Sequence, residues 1–357
     1  MYDRPMFLVH NRIARGYPGG REIDRFRGVP DPKDDDRPEA WVGSTTFTYR
    51  HTLEPSNTDG LSEVYSESGK KLFLKDVIET QPEAYLGTKH VAAHGSNTGL
   101  LVKLLDAQKQ LGLQTHPNRE FAKRMFNSKY GKVESWYVIG TRNDQDEEPY
   151  VYLGFREGIT RKQFERLFRT GNIKAMEDSC HRIPVSVDEM YFVDAGVPHA
   201  IGPGCFVIEV QEPSDITVGA RMRHFDDPNE EHEFVERTMG CYEYTGRSYE
   251  DNLAACRIPP RVFREEAAGI ETLLLGSEQT PFFSITKLDV YTELQTRQTG
   301  AFSIAIILAG NGEIVCETGR WAVKQGDELF LPARMRRFSW RSHSNLQIIN
   351  CHPPGVL

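Results

Sequence analysis

Ala195-Gly-Val-Pro-His199-Ala-Ile-Gly202, followed by Cys205-Phe-Val-Ile-Glu209-Val-Gln211, is the stretch whose reading decides the fold. A Gly- and Pro-rich turn over 195–204 runs into β-branched and aromatic residues, the composition of a strand. Side chains alternate along a strand, so Val207, Glu209 and Gln211 share one face and Phe206, Ile208 and Val210 the other. Two of the three residues on the first face are polar, on a strand otherwise suited to a core. His199 leaves the turn on stiff backbone that holds its ring in place.

The same grammar extends outward. Residues 189–193 read as the preceding strand, and 131–141 contain Ser-Trp-Tyr-Val-Ile, another strand run. Residues 100–107 are apolar, 111–116 alternate, and 117–126 read as a short helix with Phe121 and Met125 on one face. Thr160 and Gln163 form a capping box for a helix lined by Phe164, Leu167 and Phe168, which Gly171 ends. A second strand-rich block runs from about 282 to the end. Asn311-Gly312 is read there as a hairpin turn, and Gln325-Gly326-Asp327 as a second turn before Glu328-Leu-Phe-Leu-Pro332. The organisation expected is two antiparallel β units with one helical insertion.

At 357 residues the chain has room for two or three domains. Apolar residues at 39% and charged ones at 26% exclude a disordered chain. A formal charge of −8 without a basic block argues against nucleic acid. The longest apolar run, 304–309, is too short to cross a bilayer, and the N-terminus lacks the pattern of a signal peptide. Six scattered cysteines with no CxxC pair suggest reduced thiols in a cytoplasm.

Gln114 and His116 are two apart in a strand-like segment and point the same way. Glu134 shares its face with Trp136 and Val138, where a carboxylate wants a cation. With His199, these residues suit a divalent metal in a β-barrel: two imidazoles, one carboxylate and one amide oxygen. Nitrogen and oxygen donors without thiolate fit zinc, manganese, iron or cobalt. Plainer readings stand beside this one. Glu134 can pair with Lys132, Gln114 can be an ordinary strand residue, and His181, His224 and His352 read as hydrogen-bonded surface or core groups.

In order and spacing, Gln114-Thr-His116-Pro117, Tyr130-Gly-Lys132-Val-Glu134-Ser-Trp136-Tyr137, Ala195-Gly-Val-Pro-His199-Ala-Ile-Gly202 and Glu209-Val-Gln211 resemble the successive signatures of type I mannose-6-phosphate isomerases. Pro38-Glu-Ala-Trp41-Val-Gly43 and Leu101-Val-Lys103-Leu-Leu-Asp-Ala107 are similar to further family segments, and 157–173 to its helical insertion. The resemblance covers about 38–215 well and the C-terminal block more loosely.

It implies a mainly β fold of two jelly-roll (cupin) barrels with a small helical insertion in the first. A metal-binding cupin would span 1–245 with its insertion at about 156–182. A connector would follow over 246–280, then a metal-free cupin over 281–357, because Pro332-Ala-Arg-Met335 stands where a metal-binding cupin carries Pro-x-x-His. The resemblance also implies one divalent ion, zinc, on Gln114, His116, Glu134 and His199. Lys103, Trp41 and Gln211 would contact substrate, and Lys132, Glu209 and Arg221 would be catalytic. The reaction implied is aldose–ketose isomerisation of the mannose 6-phosphate/fructose 6-phosphate type through a cis-enediol, the base being open among Lys132, Glu209 and Lys103.

One departure bears on the site. After Asp215-Ile-Thr217 the family carries an arginine in an Arg-x-Tyr-Asp-like motif, whereas Gly219-Ala-Arg221-Met-Arg223 stands here with Gly219 at that place. Arg221 is expected to take the role, with Arg119 and Arg223 as further anion-binding candidates or plain surface charges. The partner expected is a small sugar or sugar phosphate, with neither nucleic acid nor membrane, on a monomer or homodimer in the cytoplasm. Three alternatives stay open: a different or unphosphorylated sugar, a sugar-binding or regulatory cupin without catalysis, and an iron cupin oxygenase. The amide ligand and the lack of His-x-His speak against the last.

Overall fold

The alternating strand Cys205–Gln211 lies at the centre of a six-stranded antiparallel sheet in the computed structural model, which describes residues 2–49, 53–54, 56–66, 68–297, 299–335 and 337–357. Strand order is Arg257–Ile258, Met190–Val193, Glu134–Thr141, Cys205–Gln211, Leu101–Asp106, Glu39–Val42. A five-stranded antiparallel sheet faces it, ordered Val218–Gly219, Gln114–Thr115, His199–Ile201, Tyr150–Phe155, Cys180–Pro184. Leu105, Trp136, Val138 and Val207 of the first sheet pack against Val151, Leu153, Ile183 and Ile201 of the second. Two sheets packed this way keep about 10 Å between them, so polar side chains from both inner faces can meet at one end.

Helices cover the outer face of the five-stranded sheet. Arg161–Arg169 starts at the capping box of Thr160 and Gln163, and Ile173–Asp178 follows. Phe164 and Phe168 are fully buried there against Phe155 and Tyr242, each burial stabilising by ~1.5–3 kcal/mol. The helix after Pro117 is Arg119–Phe126, capped by Asn118; Phe121 is buried, but Met125 is exposed and does not share its packing.

A nine-stranded antiparallel sheet forms the C-terminal unit, built on the long strands Ser303–Cys316 and Phe338–His352. Its Ile304, Ile306, Ile349 and Cys351 pack on Val102, Leu104, Ile208 and Val210, the outer face of the six-stranded sheet. That sheet is therefore covered on both sides, which is why Cys205–Gln211 is buried at every residue. Among the described residues no helix is long and apolar enough to cross a membrane.

Three expectations need correction. Asn311-Gly312 is no turn: both residues lie inside Ser303–Cys316, which pairs with strands on either side, and the hairpin falls at 317–318. A Cβ on Gly312 would stand 2.1 Å from the Arg341 carbonyl oxygen, so this glycine serves close strand approach. Residues 246–280 are no plain connector. Tyr249–Cys256 is helical, Arg257–Ile258 edges the six-stranded sheet, and Arg261–Glu266 and Gly269–Leu275 belong to the nine-stranded one. Arg261–Glu266 is a largely exposed edge strand, and its charge gave it the composition of a linker. Nor does the first unit hold all of the N-terminus. Met6–Phe7 pairs with Phe330 and Leu329, joining the C-terminal sheet.

Candidate metal centre

Antiparallel register brings the polar residues together. In the six-stranded sheet Trp136, Glu209, Lys103 and Trp41 stand directly opposite one another on four successive strands, with Glu134 opposite Gln211 in the next row. All point to the inner face. In the facing sheet His199 is opposite Gln114, which is itself opposite Gly219, and His116 follows two residues after Gln114.

Glu134, His116 and His199 meet at the mouth between the sheets, all three buried. Glu134 Oε2 is 3.1 Å from His116 Nε2, and Glu134 Oε1 is 3.4 Å from His199 Nε2. The two imidazole Nε2 atoms are 3.1 Å apart. Each ring's Nδ1 faces a carbonyl, Ile216 O at 3.0 Å for His116 and Val197 O at 2.9 Å for His199. Those carbonyls hold the proton on Nδ1, so both Nε2 atoms present lone pairs to the carboxylate. Burial, with Lys132 adding to it, lowers His116 to about 3, and burial lowers His199 also. Both rings are neutral.

Two lone-pair nitrogens and a carboxylate oxygen converging within 4.8 Å repel one another unless a cation lies between them. Glu134 Oε2, moreover, is buried without a well-directed hydrogen bond. Burial opposes the charge on Glu134, but Lys132 leads the influences against it and the carboxyl is held well below its usual range. The Gln114 amide is 3.5 Å from His199 Nε2, and turned about its end it offers an oxygen to the same point. The donor set of this chain therefore fits a divalent metal ion.

Lys132 Nζ stands 2.8 Å from His116 Nε2 and 3.2 Å from Glu134 Oε2. Behind it lies a buried ionic chain. Lys103 Nζ donates to Glu209 Oε1 at 2.9 Å and approaches Glu39 Oε2 at 3.9 Å, while Arg15 bridges Glu39 at 2.9 Å and Asp215 at 2.6 Å. Burial and the nearby Glu134 raise Glu209 against the pull of Lys103. For Lys103, burial lowers but Glu209 and Glu39 together raise, and the net direction is upward. Arg15, Lys103 and Lys132 face Glu39, Glu134, Glu209 and Asp215, three cations against four carboxylates. A divalent ion turns that excess positive, which suits an anionic ligand.

Some expected contacts fall elsewhere. Trp41 is buried, its indole N–H donates to Glu39 at 2.9 Å, and Lys103 Nζ sits 5.3 Å from its ring centroid. It is the floor beneath Lys103 rather than a surface for sugar. Gln211 directs its amide N–H groups to the Glu212 and Ser214 carbonyls, leaving its own carbonyl oxygen buried and unpartnered. Arg221 is exposed, two residues past Gly219, and makes no ion pair among the described residues. Arg119 is bound to Glu212 at 2.5 Å and stacks over Phe282, and Arg223 lies over Phe234.

The sequence reading missed Arg15, Glu39 and Asp215, and Tyr17, whose hydroxyl donates to Glu39 Oε1 at 2.8 Å. Glu39 carried a signal: it lies in a four-residue strand buried throughout, where a carboxylate needs a cation. Burial raises Glu39, but Arg15 and Lys103 overcome it and bring the carboxyl down to about 2; Asp215 is lowered against burial by Arg15. A folded-state value below the unfolded one, about 4.3 for Glu, stabilises the fold above that value. The contribution is lost as pH falls from about 4.3 toward 2. Urea unfolding at pH 6 and pH 3.5 should therefore show a lower midpoint at pH 3.5, with the drop reduced in Glu39→Gln; an undiminished drop in that variant would reject the assignment.

The N-terminal part, residues 9–135, matches the model of the phosphomannose isomerase type I catalytic domain, and residues 277–353 match that of the mannose-6-phosphate isomerase cupin domain. Together the two matches cover more than half of the chain. The chain belongs to the type I mannose-6-phosphate isomerase family. Among curated family members, a mannose-6-phosphate isomerase from Streptococcus mutans is 28% identical over 308 residues, 84% of this chain and 90% of its own length. One from Bacillus subtilis is 25% identical over 312 residues, covering 85% and 93%. The crystal structure of a mannose 6-phosphate isomerase from Bacillus subtilis superposes with a TM-score of 0.75 at 21% identity, covering 98% of this chain and 99% of that one. A mutant phosphomannose isomerase from Salmonella typhimurium does so with 0.74 at 14%, covering 98% and 99%. These likenesses establish the mainly β cupin fold of the mannose-6-phosphate isomerase family for the whole chain.

Proposed function

We propose that the protein is a zinc-dependent aldose–ketose isomerase that interconverts mannose 6-phosphate and fructose 6-phosphate through a cis-enediol. The observation that carries this reading is the buried convergence of His116, Glu134 and His199 beside Lys132, in a chain of this family. Gln114, His116, Glu134 and His199 would hold the ion. Bound there, it would supply Lewis acidity at the sugar carbonyl.

The chain's own residues do the rest. The Lys132 ammonium, close to the ligand carboxylate, is placed to offset negative charge on the enediolate oxygens. Glu209, raised by burial and hydrogen-bonded to Lys103, is a carboxyl able to take and return a proton between C1 and C2. The free carbonyl oxygen of Gln211 accepts from a sugar hydroxyl. Arg221, exposed and without an ion pair among the described residues, would reach for the phosphate from the segment just after the strand that flanks Gln114. Trp41 keeps Lys103 in position from below. Six cysteines, none in a disulfide and five of them buried, accord with a reducing cytoplasm.

The test is interconversion of phosphorylated and free aldoses and ketoses, with zinc, chelator, and zinc restored. Mannose 6-phosphate should convert, stop converting with chelator and resume with zinc, with C2 exchange in deuterated water. Binding without C2 exchange would point to a sugar-binding protein instead. Lys132→Met should keep its zinc and lose ~10²-fold in turnover. Unchanged turnover in that variant would remove Lys132 from the chemistry.

A further inference from the structure

The interior of the C-terminal unit changes character along its length. Leu346, Ile348, Asn350 and His352 alternate along one strand and share its inner face. Leu346 and Ile348 pack with Trp340, Leu294 and Ile314 in a dry core. One turn of the pleat further, the same face becomes polar. Asn350 stands opposite Thr286, and His352 opposite Ser284. Across the next strands Arg264 is opposite Glu271, which is opposite Leu288.

A cavity of about 270 Å³ opens there, lined by Asn350, His352, Arg264, Arg297, Glu271 and Met335 among others. Pockets at the mouths of β-sheet folds that hold small ligands begin at ~300 Å³, so the space is of monosaccharide scale. Asn350 is 6% exposed and His352 7%, yet Asn350 Oδ1, His352 Nδ1 and Arg264 Nε have no hydrogen-bond partner among the described residues. Buried polar atoms are normally satisfied, and three left open around one cavity mark a place where something else supplies the partner. Glu271 accepts from Arg297 Nε at 3.2 Å through both oxygens and lies 3.3 Å from Arg264. Two guanidinium groups stand against that one carboxylate in the lining, and Arg264 also meets the half-exposed Glu266, outside the lining, at 3.5 Å. Burial, helped by Arg297, lowers His352 to about 3, so its ring is neutral and suited to a hydroxyl. One imidazole, with the one carboxylate among the described lining residues already held by arginines, does not suit a metal.

We propose that this end of the C-terminal unit is a second binding site, for a small hydroxylated anion of monosaccharide size. The anionic group lies against Arg264 and Arg297, and hydroxyl groups satisfy Asn350 and His352. A carboxylate, as in a sugar acid, and a phosphate ester, as in a phosphorylated polyol, share this chemistry.

Met335 lines the cavity and reports on it. The zinc-loaded protein, labelled at methionine methyl groups, is titrated with gluconate in one arm and glycerol 3-phosphate in the other, with the Met335 resonance assigned by Met335→Leu. A saturable shift of that resonance is expected in at least one arm, which also names the anion. Asn350→Leu removes an acceptor, and Arg264→Met removes a charge while Glu271 keeps Arg297. Each variant should weaken the shift at least tenfold and leave the KM for mannose 6-phosphate within twofold. No shift in either arm overturns the proposal. So does a shift equally strong in Arg264→Met, which sits at the rim and tests the site even if Asn350→Leu fails to fold. A shift lost when the zinc is removed by chelator and regained when it is restored assigns the binding to the metal centre and overturns it as well.

Discussion

His116→Ala is expected to lose the bound divalent metal and, with it, ~10³-fold or more of the isomerase turnover, a loss of about 4 kcal/mol in transition-state stabilisation. The ring supplies one of the two neutral nitrogens that face Glu134, and its Nδ1 is fixed by the Ile216 carbonyl, so no neighbour can replace its Nε2. Removing it also leaves Lys132 without its 2.8 Å neighbour and Glu134 with one imidazole fewer. Glu134→Ala and Gln114→Ala should lose metal in the same way, Gln114→Ala less completely because an amide oxygen binds more weakly than a carboxylate. Metal analysis of the purified variants, with circular dichroism to confirm folding, reads the result. Stoichiometric zinc retained in all three would reject the ligand set.

A second large effect concerns stability. Arg27 and Glu328 form an ion pair with side chains 3% and 2% exposed, and both guanidinium Nε and Nη2 donate to the same carboxylate oxygen. Truncating one partner strands a buried charge, so Arg27→Met and Glu328→Leu should each cost ~3–5 kcal/mol in urea unfolding. The double variant, with two apolar chains in place of two charges, should recover most of the loss. Single variants within about 1 kcal/mol of the parent, or a double variant as weak as the sum, would contradict the account.

Where the sequence could be read, local rules coincided with the tertiary arrangement. Cys205–Gln211 shows its two faces because each packs against a different sheet, and Thr160 announces its helix because cap and partner are three residues apart. His116, Glu134 and His199 are legible as a group able to hold a metal because alternation along the chain points them inward. The ionic chain behind them was not. Arg15 and Asp215 are 200 residues apart, and nothing near either one reveals its partner. Asn311-Gly312 misled for the opposite reason. Its strong turn preference was overridden by pairing on both sides, in a strand that bulges past Gly310 and Gly312 instead of reversing. Trp41 had the residue type of a sugar contact, but only the packing shows Lys103 lying over it.

The pairing of Met6–Phe7 with Leu329 and Phe330 sets an order of events during synthesis. Met6–Phe7 leaves the ribosome more than three hundred residues before its partner strand is added. At ~5–20 residues per second, that is a wait of ~15–65 s. Throughout it Met6 and Leu8 have no second sheet to cover them, and Arg27 has no Glu328 to neutralise it. The first unit can pair its own strands in this interval, but it cannot be finished. Addition of the last strands completes both units in one step, so a nascent chain stalled before residue 328 leaves Met6 and Leu8 without that cover.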